Sequence, residues 1–89
     1  MKAVVTVVGK DRVGIIAEVC TDLAAFQVNV LDISQTVMQG YFTMMMVVDV
    51  SACTIPLAEF CTVMEESGKE KNLSIRVQRE DIFEAMHRI

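Results

Sequence analysis

TVVGKDRVGIIAEVCTDLAAFQVN, residues 6–29, is the stretch on which the architecture turns. It reads as the end of a strand at Val7-Val8, a tight turn over Gly9-Lys10-Asp11-Arg12-Val13-Gly14, and an amphipathic helix from about Ile15 to Phe26. Ile16, Val19, Cys20, Leu23 and Phe26 recur at three- and four-residue spacing, while Glu18, Asp22 and Gln27 fall outside that stripe. The first turn of a helix leaves four backbone N–H groups without intrahelical partners, and the helix dipole adds partial positive charge there. A strand-to-helix junction of this kind suits a carboxylate or a phosphate. Asp11 is placed to cap the helix by accepting from those groups. Gly14 removes a side chain where backbone would meet a ligand or a neighbouring element. The same spacing also suits glycines that serve only the turn and its packing. It is not a P-loop, because Ile15-Ile16 stand where a Lys-Ser/Thr pair should follow the second glycine.

Outward from this stretch the pattern alternates between the two periods. Lys2 to Val8 is a strand whose near-continuous Val4, Val5, Val7 and Val8 imply burial on both faces, hence a central position. Val28 to Met38 is a second strand, with Leu31, Ile33, Gln35 and Val37 on one face and Asp32, Ser34 and Thr36 on the other. Gln39-Gly40 makes a short hairpin to a third strand, Tyr41 to Val50. There Phe42, Met44, Met46, Val48 and Val50 face the helices, and Tyr41, Thr43, Met45, Val47 and Asp49 face away. Thr54 and Pro56 introduce a second helix striped by Leu57, Phe60, Cys61 and Met64, with Gly68 near its end. Leu73 to Gln78 is a fourth strand with Ile75 and Val77 inward, and Arg79 to Ile89 carries a weak helical pattern at Ile82, Phe83, Met86 and Ile89.

The order β-α-β-β-α-β predicts an α+β fold, a ferredoxin-like sandwich. Right-handed crossovers give a four-stranded antiparallel sheet of order 4-1-3-2 with both helices on one face. Residues 1–79 make the domain and 80–89 a short C-terminal helical extension.

Eighty-nine residues with 53% hydrophobic content and a mean hydropathy of +0.43 carry more apolar surface than one small core absorbs. A second buried surface is therefore expected, most simply a subunit interface. No apolar run approaches the ~18–20 residues of a membrane span, and the first residues do not resemble a signal peptide, so a cytoplasmic location and no membrane partner are expected. A net charge of −4 disfavours nucleic acid as a partner. Cys20, Cys53 and Cys61 are odd in number and lack CxxC spacing, so they read as packing thiols rather than disulfides or metal ligands. Met44-Met45-Met46 likewise reads as gap-filling, and neither a metal nor a cofactor is expected.

Such a fold hosts many activities. An acylphosphatase-type hydrolase needs a loop arginine and a placed asparagine; Arg12 and Asn29 offer the residue types without the surrounding motif. A copper chaperone needs a CxxC in the first loop, and an RNA platform needs stacking aromatics on the central strands. Neither is present. No serine, cysteine or carboxylate has an obvious catalytic base beside it, so no catalytic residue is assigned.

Val8-Gly9-Lys10-Asp11-Arg12-Val13-Gly14-Ile15-Ile16-Ala17, followed by Val28-Asn29-Val30-Leu31-Asp32-Ile33-Ser34-Gln35-Thr36, closely resembles the ACT domain family. The likeness is to stand-alone single-ACT proteins and to the ACT modules of glycine-cleavage-type regulators and formyltetrahydrofolate deformylases. Many relatives carry proline where this chain has Val13. The resemblance implies a homodimer that binds an amino acid or similar small carboxylate and acts in trans on a protein partner. It implies that Asp11, Arg12, Val13, Gly14 and Ile15 form the loop side of the pocket and Asn29, Val30 and Leu31 the strand side. The amides around Val13 to Ile15 would hold the carboxylate, and Asp11 or Asn29 would receive the ammonium group. A module that kept the fold and lost the ligand is the competing expectation.

Overall fold

A computed structural model describes residues 1–81. Six elements follow in the expected order: β1 (Lys2–Lys10), α1 (Ile15–Ala25), β2 (Asn29–Met38), β3 (Tyr41–Asp49), α2 (Leu57–Glu70) and β4 (Leu73–Arg79). They form one antiparallel sheet of order β2-β3-β1-β4. This is the ferredoxin-like βαββαβ arrangement, with the valine-rich first strand and the third strand at its centre. The apolar pattern at Ile82, Phe83, Met86 and Ile89, and His87, lie outside the described residues.

Alternation along the central strands builds the core. Ala3, Val5 and Val7 of β1 face the same layer as Phe42, Met44, Met46 and Val48 of β3 and Leu73, Ile75 and Val77 of β4. Ile15, Val19 and Leu23 of α1 and Phe60 and Met64 of α2 close that layer from above. Phe26 and Phe60 meet edge to face at 5.7 Å between ring centroids, a favoured aromatic geometry.

Element ends differ from the expectations in instructive ways. β1 runs two residues further, to Lys10, because β3 begins at Tyr41 and supplies ladder partners for Gly9 and Lys10. The buried stripe of α1 is Ile15, Val19 and Leu23 at i, i+4, i+8, leaving Ile16 partly exposed. The hairpin at Gln39 (φ 51°) and Gly40 (φ 82°) has positive φ at both central residues, the twist-matched type I′ pattern. Thr54 does not cap α2; Pro56 stands at the N-cap, and the Thr54 amide donates to the Phe26 carbonyl at 3.1 Å. Gly68 lies near the end of α2, as expected; the helix runs to Glu70, with Lys71 at the C-cap and Asn72 in the left-handed region (φ 59°).

The helix layer stops short of β2. Ile33 and Val37 register with the inward residues Met46 and Phe42, yet they are 43% and 54% exposed. A bulge at Leu31 breaks the alternation, since Val30 faces Val48 and Asp32 faces Val47. β2 is thus a ten-residue edge strand, half-buried at Val30 and exposed elsewhere, with no described element along its outer side.

Candidate functional site

The first loop, residues 11–14, leaves the end of β1 and turns back over the sheet. Gly14 is the N-cap of α1 with φ 93° and ψ −1°, the backbone of the third residue of a type II turn. Proline is favoured one place earlier in that turn, at the position of Val13. Asp11 is not the cap: it lies three residues before Gly14, too far along the chain for its carboxylate to serve the first helical turn, and α1 has no side-chain cap. Its backbone amide instead donates to the Gly40 carbonyl at 2.8 Å, which fastens the loop to the β2–β3 hairpin.

Among the described residues, the amides of Val13, Gly14, Ile16 and Ala17 make no hydrogen bond to a protein acceptor. Val13 is 99% exposed at the tip of the loop. Ile15, by contrast, is 2% exposed and belongs to the core, so its side chain anchors the loop and only its backbone faces the junction.

Arg12 is engaged by the protein itself. Its Nη1 donates to Glu18 Oε2, and its Nη2 donates to the Lys71 carbonyl at 3.3 Å. The hydrogen bond from Arg12 holds the Glu18 carboxyl below its usual range. Beside it, Asp22 Oδ2 accepts from Ser67 Oγ at 2.7 Å and from Lys71 Nζ at 2.9 Å. Burial pushes Asp22 up, but those two donors outweigh it and leave its pKa lowered.

The strand half of the expected pocket is at the other end of the sheet. Asn29, exposed at the first position of β2, pairs with Asp49; Lys10, at the last position of β1, pairs with Tyr41. Asp49 and Tyr41 are the two ends of β3, so the loop and Asn29, Val30 and Leu31 stand about 27 Å apart at 3.4 Å per residue. One chain brings Asp11 to Ile15 together and leaves Asn29 to Leu31 remote. The sequence contained a signal for this separation, because a strand–helix–strand crossover carries the chain back through α1 and starts β2 in the same direction as β1, at the opposite end of the sheet.

Cys20, Cys53 and Cys61 are half-buried free thiols. Burial pushes the Cys61 thiol up, and its Sγ donates to the Val77 carbonyl at 3.4 Å, so it behaves as packing rather than as a nucleophile.

Comparison with known proteins agrees with this fold. The chain is 49% identical over its whole length to a UPF0237 protein of Clostridium acetobutylicum, covering all of both chains. The solved ACT domain protein of Streptococcus pneumoniae is 45% identical and superposes with a TM-score of 0.83 over 98% of each chain. A formyltetrahydrofolate deformylase of Pseudomonas syringae shares the fold alone, at 22% identity and a TM-score of 0.78 over 88% of this chain and 27% of that one. The family model for the ACT domain matches residues 2–78, and the chain belongs to the ACT domain family.

Proposed function

We propose that this chain is a regulatory module that binds an amino acid or similar small carboxylate between two copies of itself and acts in trans on a protein partner. ACT domains are regulatory modules that typically bind small ligands, and the question is where this one would hold its effector. The observation that carries the reading is the ~27 Å separation of the two half-sites. Two copies joined antiparallel along the free edges of β2 bring the partner's strand opening to the same end as the first loop. The unpartnered amides from Val13 to Ala17 then hold the carboxylate, with Gly14 keeping the approach open. Asp11 and the partner's Asn29 face the ammonium group. Arg12 is left out of direct binding, because Glu18 and Lys71 already occupy it. Residues 1–79 form the binding domain and 80–89 an extension.

The test combines light scattering after size exclusion with a thermal-shift screen of the twenty amino acids and simple carboxylates. A ligand at 100 times its dissociation constant adds about 2.7 kcal/mol of stability. Val13→Glu sets a like charge at the loop tip without touching the core and should abolish the shift with the melting temperature of the free protein unchanged. Mixing Val13→Glu with Asn29→Ala subunits should restore one intact site per heterodimer. A monomer at micromolar concentration, or a panel that produces no shift, overturns the reading.

A further inference from the structure

Arg12 joins three pieces of backbone that are far apart in sequence. It comes from the first loop, it ion-pairs with Glu18 in the first turn of α1, and its Nη2 reaches the Lys71 carbonyl where α2 ends. A guanidinium at a helix C-terminus and a carboxylate at a helix N-terminus each complement the local dipole. The end of α2 has no glycine of its own; the chain turns through Asn72 at φ 59°. The same end is held to α1 through Lys71 Nζ and Ser67 Oγ, both on Asp22 Oδ2, with 2.6 Å between Nζ and Oγ.

We infer that Arg12 is a latch coupling the conformation of the first loop to the α2–β4 turn. Movement of the loop pulls the guanidinium off the Lys71 carbonyl and loosens the last turn of α2. Loosening that turn in its own right removes the acceptor that keeps the loop in place. On the proposed function, in which the loop holds the ligand, occupancy that redirects Arg12 is transmitted to the surface around Lys71 and Asn72. That surface lies on the side of the sheet opposite the β2 edge, since β4 and β2 are the two outer strands. It is therefore available to a partner while β2 is paired.

Hydrogen exchange on the full-length protein without ligand tests the latch separately from ligand binding. Arg12→Ala should speed exchange at Gly68 to Leu73 by up to about fivefold, the range of an exposed pair, with β2 and β3 unchanged. Arg12→Lys should restore part of the protection. The decisive comparison is a double-mutant cycle with Ser67→Ala, which leaves the Lys71–Asp22 pair in place. Ser67→Ala should speed exchange of the Asp11 amide, the loop amide held on the Gly40 carbonyl, in the Arg12 protein and have no effect on it in the Arg12→Ala background. Additive effects, or equal changes across the whole sheet, overturn the latch while leaving the ligand reading standing.

Discussion

Gly68 sits in α2 where the following strand crosses close beneath it. In a helix interior, glycine to alanine normally gains roughly 0.5–1 kcal/mol. Here a Cβ would lie 2.7 Å from the Leu73 carbonyl oxygen and 2.9 Å from Ile75 Cγ1, and backbone does not yield as a side chain does. Gly68→Ala is therefore expected to destabilise by about 1–3 kcal/mol, read from the midpoint of urea unfolding. Gly14 is the opposite case: a Cβ there has room, at 3.5 Å from Glu18 Oε2, but φ is 93°. Gly14→Ala should cost about 1–2 kcal/mol through backbone strain, and Gly14→Asn less. Phe60, fully buried beneath Phe26, is the position where truncation should be costliest, about 3–5 kcal/mol for Phe60→Ala.

Among the elements, β2 differs from the rest. β1, β3 and β4 each present a buried face, and the two helices each bury a stripe, whereas β2 is exposed on both sides along nearly its whole length. A long exposed edge is ordinarily a template for another strand, and proteins blunt such edges with lysines, prolines, charges or bulges. β2 has the bulge at Leu31 and the charge of Asp32 at its start but carries no lysine or proline, and Ile33 to Met38 is left unguarded. Ile33→Lys with Val37→Lys should leave the fold intact, because both side chains already meet solvent, and should convert the proposed β2-paired dimer to monomer. Light scattering reads the mass, and circular dichroism confirms the retained structure. A dimer that survives both lysines would move the interface away from β2.

At the scale of the molecule, the carboxyls of Glu18, Asp22 and Asp49 are shifted in one direction among the described residues. Glu18 is lowered by its bond from Arg12, Asp49 by its bonds from Ser51, and Asp22 by Ser67 and Lys71 against a burial that raises it. A carboxyl whose folded pKa lies below its unfolded value (4.5 for Glu18, 3.8 for Asp22 and Asp49) stabilises the fold above the unfolded pKa. That contribution is lost as pH falls through the lowered folded value. Stability should therefore decline on acidification from about pH 5 to below pH 3. Asp22→Asn should remove part of that dependence, as measured by the melting temperature across the range.

Local chemistry carried the element order, the central position of β1 and the hairpin at Gln39-Gly40, because period-2 and period-3.6 patterns and turn residues act over a few neighbours. The same locality made the first loop recognisable from Gly9 to Gly14. It could not show that Asp11 reaches for Gly40 rather than for the helix, that Ile15 enters the core, or that Gly68 presses on Leu73. Asp11 and Gly40 are 29 positions apart, and although Leu73 is only five from Gly68, α2 has ended and the chain has turned back between them, so each contact depends on how elements pack. Nor could it show that Arg12 is already held by Glu18 and Lys71. Strand direction and packing place those groups in space, and only a folded chain has both.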